Sequence, residues 1–182
     1  MQTKLTKRRT PAIVMTAMMM CIIMVAIFLL RIPIPFTQGY VNLSDGIIFI
    51  AVILMGMKYG TAAAALGSML GDIVGGFAMW APWTFVIKGG MAFITALVVS
   101  ALGKSSFGKE RRWTSRVIGM ICGGCFMVPG YFVAEKIMYG SWAVAALGIP
   151  WNIGQFAVGI VLALCILKAL QKTSVIGKDE ML

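Results

Sequence analysis

The sequence contains no histidine and few charged residues, and these shortages exclude several classes of protein. Charged residues make up 12% of the 182 residues and hydrophobic residues 60%. An ordinary soluble domain has about 25% charged residues, so a cytosolic enzyme and a disordered tail are both excluded. Without histidine, His-based proton transfer and His-ligated metal sites are excluded as well.

Cysteine is also scarce, and the one spacing that resembles a functional motif lies inside an apolar run. Cys122 and Cys125 form a CxxC pair, a spacing that occurs in zinc and redox sites. The pair falls within an apolar run, residues 117–133, with no second Cys or His pair nearby. Small packing residues in a helix are therefore the favoured interpretation, and we predict no catalytic residues, no metal and no cofactor.

Long apolar runs are what the chain does have. Because about 20 apolar residues cross a bilayer, the length allows about six spans. Breaks in hydropathy place them at about 11–30, 46–58, 61–78, 82–102, 117–138 and 150–170. The first run follows four basic residues as in a signal peptide, but it is too long for one and no cleavage site follows it. We expect an all-α integral membrane protein with a single transmembrane domain, residues 1–182, and six helices.

Positive charge is concentrated on one predicted side of the membrane. Of the 16 basic residues, 13 lie before span one, at the junction of spans two and three, between spans four and five, or from the last turn of span six to the end of the sequence. By the positive-inside rule this side, with both termini, is cytoplasmic. Topology and anionic lipid headgroups account for the charge, so the lipid bilayer is a predicted partner and nucleic acid is not.

The other six charged residues are expected at or inside the outer ends of the spans. They are three of each sign: Arg31, Asp45, Asp72, Lys88, Glu135 and Lys136. Ionisable groups inside spans are costly and usually face a cavity or one another. Two interpretations stay open: Lys88 pairs with Asp72 or Glu135 merely to hold helices together, or these side chains line an outward pocket and contact a ligand.

Uncharged polar residues are predicted at the same level. Residues 31–45 carry Pro33 and Pro35, which prevent a helix, and Tyr40 and Asn42, which offer hydrogen bonds, so we expect a long irregular loop that acts as a lid.

Two further sets of side chains lie near the outer ends of later spans. Trp80 and Trp83 at the outer end of span four belong either to an aromatic belt or to a surface that stacks on a flat ring. Asn152 and Gln155 share a helical face at the start of span six, where ligand contact is favoured. The predicted substrate-binding residues are Lys88, Glu135, Asn152, Gln155, Trp83, Tyr40, Asn42 and Asp72.

Four stretches carry a family resemblance across residues 10–170. They read GYVNLSD, GSMLGDIVGGFAMWAPWTFVIKG, GYFVAE and PWNIGQ. Together they resemble the substrate-binding S components of energy-coupling factor (ECF) vitamin transporters, in particular the riboflavin-type or hydroxymethylpyrimidine-type group. The GD…GG…W-P-T…K-G stretch of spans three and four is the most specific part.

The resemblance implies a six-helix protein of a prokaryotic cell membrane that is not an enzyme. Such a subunit binds one vitamin or precursor, a flat polar heterocycle, in an outward pocket. It delivers the ligand with a transmembrane coupling protein and two ATPase subunits; the chain itself has no GxxxxGK[ST] phosphate loop. Many family members carry an Ala-xxx-Ala pair in helix one for docking on the coupling protein; this sequence departs from that pattern, and Ala12/Thr16 and Ala17/Cys21 are its nearest matches.

A secondary transporter or channel and a membrane enzyme are the two alternative functions. A self-contained secondary transporter or channel would need polar residues along a whole pathway, yet the inner halves of the spans hold almost none. A membrane enzyme would need a nucleophile and base or a metal set beside its carboxylates, and the sequence offers neither.

Overall fold

Long helices account for most of the chain. The computed structural model describes residues 2–35, 39–103 and 109–172. In chain order the elements are α1 (Gln2–Leu29), β1 (Arg31–Pro33), β2 (Tyr40–Asn42), α2 (Ser44–Val74), α3 (Ala81–Gly103), α4 (Lys109–Tyr139) and α5 (Trp142–Lys172). Within the described residues, five helices are long and apolar enough to cross a membrane. The helical membrane class predicted from composition is confirmed.

A short β-hairpin replaces part of the irregular loop predicted for residues 31–45. β1 and β2 pair antiparallel, with Arg31 opposite Asn42 and Pro33 opposite Tyr40. The Ile34 amide donates to the Gly39 carbonyl oxygen at 3.0 Å and continues the pairing. The expectation of irregular structure is wrong at these strands. Proline blocks a helix but is compatible with an edge strand, which has no partner on one side.

Helix α2 contains a chain reversal at Gly56. This residue adopts φ +74°, a left-handed conformation open to glycine, and separates two helical arms at residues 44–55 and 57–74. A Cβ placed on Gly60 would lie 2.6 Å from the Cα of Val52. Residues eight apart in a straight helix are about 12 Å apart along its axis, so the two arms must run antiparallel. The start and the end of α2 therefore lie at the same end of the molecule.

Helix boundaries differ from the predicted spans in two places. α4 begins at Lys109 rather than near 117, and α5 begins at Trp142 rather than near 150. At α4 the predicted span followed hydropathy, which reports burial in lipid, whereas Lys and Arg are good helix formers that extend the helix beyond it. At α5 the added residues, 142–149, are uncharged, and the helix begins before Pro150 rather than at it. Pro150 lies inside α5; prolines are tolerated in membrane helices because neighbouring groups satisfy the freed carbonyl.

Glycines let the helices approach one another closely. A Cβ on Gly67 of α2 would lie 3.0 Å from the Cα of Met20 in α1, and one on Gly123 of α4 would lie 2.7 Å from the Met91 carbonyl oxygen in α3. Small residues at such contacts are how membrane helices gain packing energy without a hydrophobic driving force. The packed core contains Ile48, Phe49 and Ile53 of the first α2 arm, which is thus enclosed by the other helices.

Candidate ligand-binding cavity

A polar cavity lies where the hairpin meets the ends of the helices. Each of the helices α2 to α5 contributes polar side chains, and Trp80 comes from the turn before α3. The hairpin forms one wall. The lining residues are Ile27, Ile34, Gly39, Tyr40, Asn42, Ser44, Ser68, Asp72, Trp80, Thr84, Lys88, Tyr131, Glu135, Asn152 and Gln155. The reversal in α2 explains why Ser44 and Asp72, 28 positions apart in the chain, reach the same cavity.

A buried ion pair stands at one wall of the cavity. The Lys88 ammonium donates a hydrogen bond to Asp45 Oδ1, and the two side chains are only 2% and 1% exposed. Neither partner predicted for Lys88, Asp72 or Glu135, is the observed one. The reversal at Gly56 brings the first turn of α2 beside α3, and hydropathy alone does not predict that juxtaposition.

Gln155 joins this ion pair to the hairpin. Its side-chain Nε2 donates to Asp45 Oδ2 at 2.9 Å, and its Oε1 accepts from the backbone amide of Asn42 at 2.8 Å. The Asn42 side chain in turn accepts from the amide of Ser44 at 2.9 Å. Both carboxylate oxygens of Asp45 are thereby bonded, as a buried charge requires.

Tyr40 and Asp72 form a second polar contact beneath the hairpin. The Tyr40 hydroxyl donates to Asp72 Oδ1, and the Arg31 guanidinium lies over the Tyr40 ring, 4.7 Å from its centroid. Burial, followed by the negative charge of Asp72, raises the pKa of the Tyr40 hydroxyl well above its usual value. Tyr40 is therefore a neutral donor at any physiological pH.

Glu135 and Asn152 line the cavity without such partners among the residues that the structure describes. Glu135 is 2% exposed and its Oε2 makes no hydrogen bond within the described residues. A Cβ on Gly148 would lie 2.4 Å from that oxygen, so glycine at this position leaves the carboxylate its space. Asn152, one turn further along α5 from Gly148, is 5% exposed and also lines the cavity.

The structure brings seven of the eight predicted site residues to this cavity. Trp83 is the exception: it is half-buried and packs against the hydrophobic core. Thr84 and Lys88 are one turn apart and share the cavity face of α3, whereas Trp83 is displaced by one residue, about 100° around the helix. Trp80, which is 5% exposed, lines the cavity instead.

Asp45, Trp80 and Tyr131 are among the site residues that were absent from the predicted list. Asp45 holds Lys88, and Tyr131 and Trp80 form an aromatic wall with ring centroids 6.1 Å apart. The Lys88 ammonium lies 5.4 Å from the centroid of the Tyr131 ring. The spacing of Tyr131 and Glu135, four residues apart on one helical face, is the sequence signal that points to Tyr131.

Comparisons with known proteins identify one matching family model and two relatives. The model of the ECF-type riboflavin transporter S component family matches residues 7–172. A Pyrococcus woesei protein described as "Uncharacterized protein in gap 3'region" is 34% identical over 122 residues, which cover 67% of this chain and 76% of that protein. The thiamine precursor transporter HmpT of Lactococcus lactis subsp. cremoris (strain MG1363) is 27% identical over 150 residues, or 82% of this chain and 81% of that protein.

A solved structure supports the fold independently. It is described as "Structure and mechanism of the S component of a bacterial ECF transporter" and superimposes with a TM-score of 0.66. The match covers 91% of this chain and 99% of that chain at 19% sequence identity. Since the family match spans most of the sequence, the chain belongs to the family of ECF-type riboflavin transporter S components.

Proposed function

We propose that this protein is the substrate-capture subunit of an ECF-type importer. It binds a vitamin or vitamin precursor from outside the cell and delivers it together with a transmembrane coupling protein and two ATPase subunits. The observation that carries the proposal is a single cavity, lined by buried polar and aromatic side chains and closed by the hairpin, in a chain of this family. Concave sites with a few convergent polar groups are typical of small-molecule recognition.

The proposed topology places six crossings in the plasma membrane of a prokaryote, with the two arms of α2 as separate crossings. Lys58 follows the Gly56 reversal and so lies at the opposite end of α2 from the cavity. Arg116 near the start of α4 and Lys168 near the end of α5 both lie against the Trp113 ring, 5.3 and 5.8 Å from its centroid. These basic residues mark the cytoplasmic end, so both termini are inside and the cavity faces outward.

The ligand class that suits this cavity is a flat, polar heterocycle. Riboflavin, a pyridoxine-like compound and a hydroxymethylpyrimidine-like compound all fit this description. Trp80 and Tyr131 offer ring faces on which such a ligand stacks. The polar contacts are assigned to the cavity residues predicted from sequence: Lys88, Glu135, Asn152, Gln155, Tyr40, Asn42 and Asp72.

The docking face for the coupling protein is proposed on α1. Of the two small-residue pairs in this helix, Ala17 and Cys21 are exposed. Thr16 is 9% exposed and its hydroxyl donates to the Ala12 carbonyl oxygen at 2.7 Å, so it faces inward. Small side chains on an exposed stripe allow a partner helix to approach closely. We therefore assign docking to the Ala17/Cys21 face.

Two measurements test the function. The protein purified from its native host should carry a small heterocycle that mass spectrometry identifies, and in liposomes the chain alone should bind this compound without accumulating it. Addition of the coupling protein and ATPases should produce ATP-dependent uptake. Concentrative uptake by the isolated chain would contradict the proposal and favour a self-contained transporter.

A bulky residue on the docking face separates binding from coupling. Ala17→Trp should abolish ATP-dependent uptake by the complete importer while leaving ligand affinity unchanged, because α1 contributes little to the cavity. Ile22 is also exposed on α1 but lies about 140° around the helix from Ala17, so Ile22→Trp serves as the matched control. If Ala17→Trp supports normal uptake, docking takes place elsewhere.

A further inference from the structure

The charges at the cavity do not balance. The six charged residues near this end of the chain are three of each sign, but Lys136 is turned away from the others. Its ammonium lies over the Trp142 ring, 5.5 Å from the centroid, and that ring is 55% exposed. The remaining five are two cations, Arg31 and Lys88, and three carboxylates, so the site carries one surplus negative charge.

Glu135 is the carboxylate that holds this surplus. Asp45 is ion-paired with Lys88. Asp72 accepts from Tyr40 through Oδ1, and the Tyr40 ring lies under the Arg31 guanidinium, although Asp72 Oδ2 has no hydrogen-bond partner among the described residues. Glu135 has no ion pair within the described part of the chain, and its Oε2 accepts no hydrogen bond there. A carboxylate that is 98% buried with an oxygen unbonded is costly in the ligand-free protein.

The surroundings keep the Glu135 carboxylate facing the cavity. Gly148 packs directly against its oxygens, so a side chain at that position would displace them. Asn152, four residues beyond Gly148 on the same face of α5, adds an amide whose side chain has no hydrogen-bond partner within the described residues. A carboxylate with an oxygen that is unbonded within the described residues therefore lies near an adaptable amide.

We propose that Glu135 determines substrate class: it accepts hydrogen bonds from an amino-substituted or protonated nitrogen edge of the ligand ring. The inference rests on the proposed function and sharpens it, because it favours amino-heterocycles and cationic rings over ligands that carry a carboxylate. A carboxylate paired with an amidine-like edge makes two charge-assisted hydrogen bonds, which are stronger than neutral ones. A ligand with its own carboxylate would bring two negative charges together in a poorly solvated site.

The test uses the purified full-length protein and a pair of ligands that differ at one group. A 4-aminopyrimidine and the pyrimidin-4-one with the same substituents are titrated by calorimetry, with pyridine-3-carboxylate and riboflavin alongside. The amino compound should bind about 10- to 100-fold more tightly than the oxo compound, the range expected for hydrogen bonds to a charged group. Glu135→Gln should remove most of this preference.

Matched variants separate recognition from folding. Gln is close to Glu in size, so Glu135→Gln should unfold at a temperature no lower than the wild type. Lys136→Gln, a neighbouring charge change outside the cavity, should leave the preference intact. Equal binding of the amino and oxo compounds by the wild type, tightest binding of the carboxylate, or a preference that survives in Glu135→Gln would each overturn the inference. Riboflavin binding that is insensitive to Glu135 would overturn it while leaving the proposed function standing, whereas no binding of any of the four compounds would overturn both.

Discussion

Two buried carboxylates at the cavity, Asp45 and Glu135, are almost equally hidden but differ in their partners. Asp45 is 1% exposed and bonded through both oxygens, by Lys88 and by Gln155. Glu135 is 2% exposed and has an oxygen without a partner among the described residues. A fully bonded buried charge holds elements in place, whereas an unbonded one is available to a ligand. The comparison separates residues that build the site from residues that use it.

Removing the cation from the bonded pair should have the largest effect. Lys88→Met leaves Asp45 as an uncompensated buried charge, and breaking a buried pair in this way costs about 3–5 kcal/mol. We expect a marked fall in the thermal unfolding temperature and in the yield of monodisperse protein. The double variant Lys88→Met with Asp45→Asn should recover most of the loss, and Lys58→Met, at an exposed lysine, should have no effect. A single variant as stable as the wild type would contradict the structural role of the pair.

The two amides of α5 should respond differently to truncation. Gln155→Ala strands the Asn42 amide and one Asp45 oxygen, so it should lower both stability and ligand affinity, each by about 1–3 kcal/mol. Asn152→Ala strands no protein group and should lower affinity alone. Thermal unfolding and ligand titration of both variants measure the two effects. Equal losses of stability in the two variants would contradict the prediction that Gln155 stabilises the fold and Asn152 does not.

Gly148→Ala tests whether the Glu135 carboxylate must keep its position. The added methyl would lie 2.4 Å from Oε2 and has to displace it, so ligand affinity should fall about tenfold, within the cost of overpacking. Gly154→Ala is the matched control, because a Cβ there meets nothing within 4 Å. Should the two variants bind ligand equally well, the carboxylate does not depend on this space.

Tyr40→Phe should have the smallest effect of these four sets of substitutions. The aromatic ring that lies under the Arg31 guanidinium is kept, and only the hydroxyl that donates to Asp72 is lost. The free energy of unfolding should therefore fall by about 1 kcal/mol at neutral pH. Because the pKa of Tyr40 is raised in the folded protein, its contribution is complete below the ordinary tyrosine pKa of about 10 and is lost as pH rises further. The stability difference between wild type and variant should therefore narrow above that pH in thermal unfolding measurements.

Periodicity and hydropathy predicted the helical class and seven of the residues that line the cavity, but not how these residues pair. Seven of the predicted residues reach the cavity because polar groups inside apolar spans have few other places to lie. Trp83 was assigned to the cavity because a tryptophan at the outer end of span four could stack on a flat heterocycle, yet its helical phase differs from that of Lys88. The pairing of Lys88 with Asp45 depends on where α2 reverses. Hydropathy placed that reversal between residues 58 and 61, and the structure has it at Gly56.

The reversal at Gly56 also determines how deep in the bilayer a bound ligand would lie in the proposed topology. The arm formed by residues 44–55 is about 18 Å long at 1.5 Å per residue, whereas the hydrocarbon core is about 30 Å thick. In the proposed orientation, with the Gly56 end of this arm at the cytoplasmic boundary, its other end, with Asp45, would stop about 12 Å below the outer boundary. The hairpin would occupy that remaining depth, and the pairing of β1 with β2 provides backbone hydrogen bonds of the kind that lipid requires. A bound heterocycle would thus already lie within the thickness of the bilayer before any ATP is used.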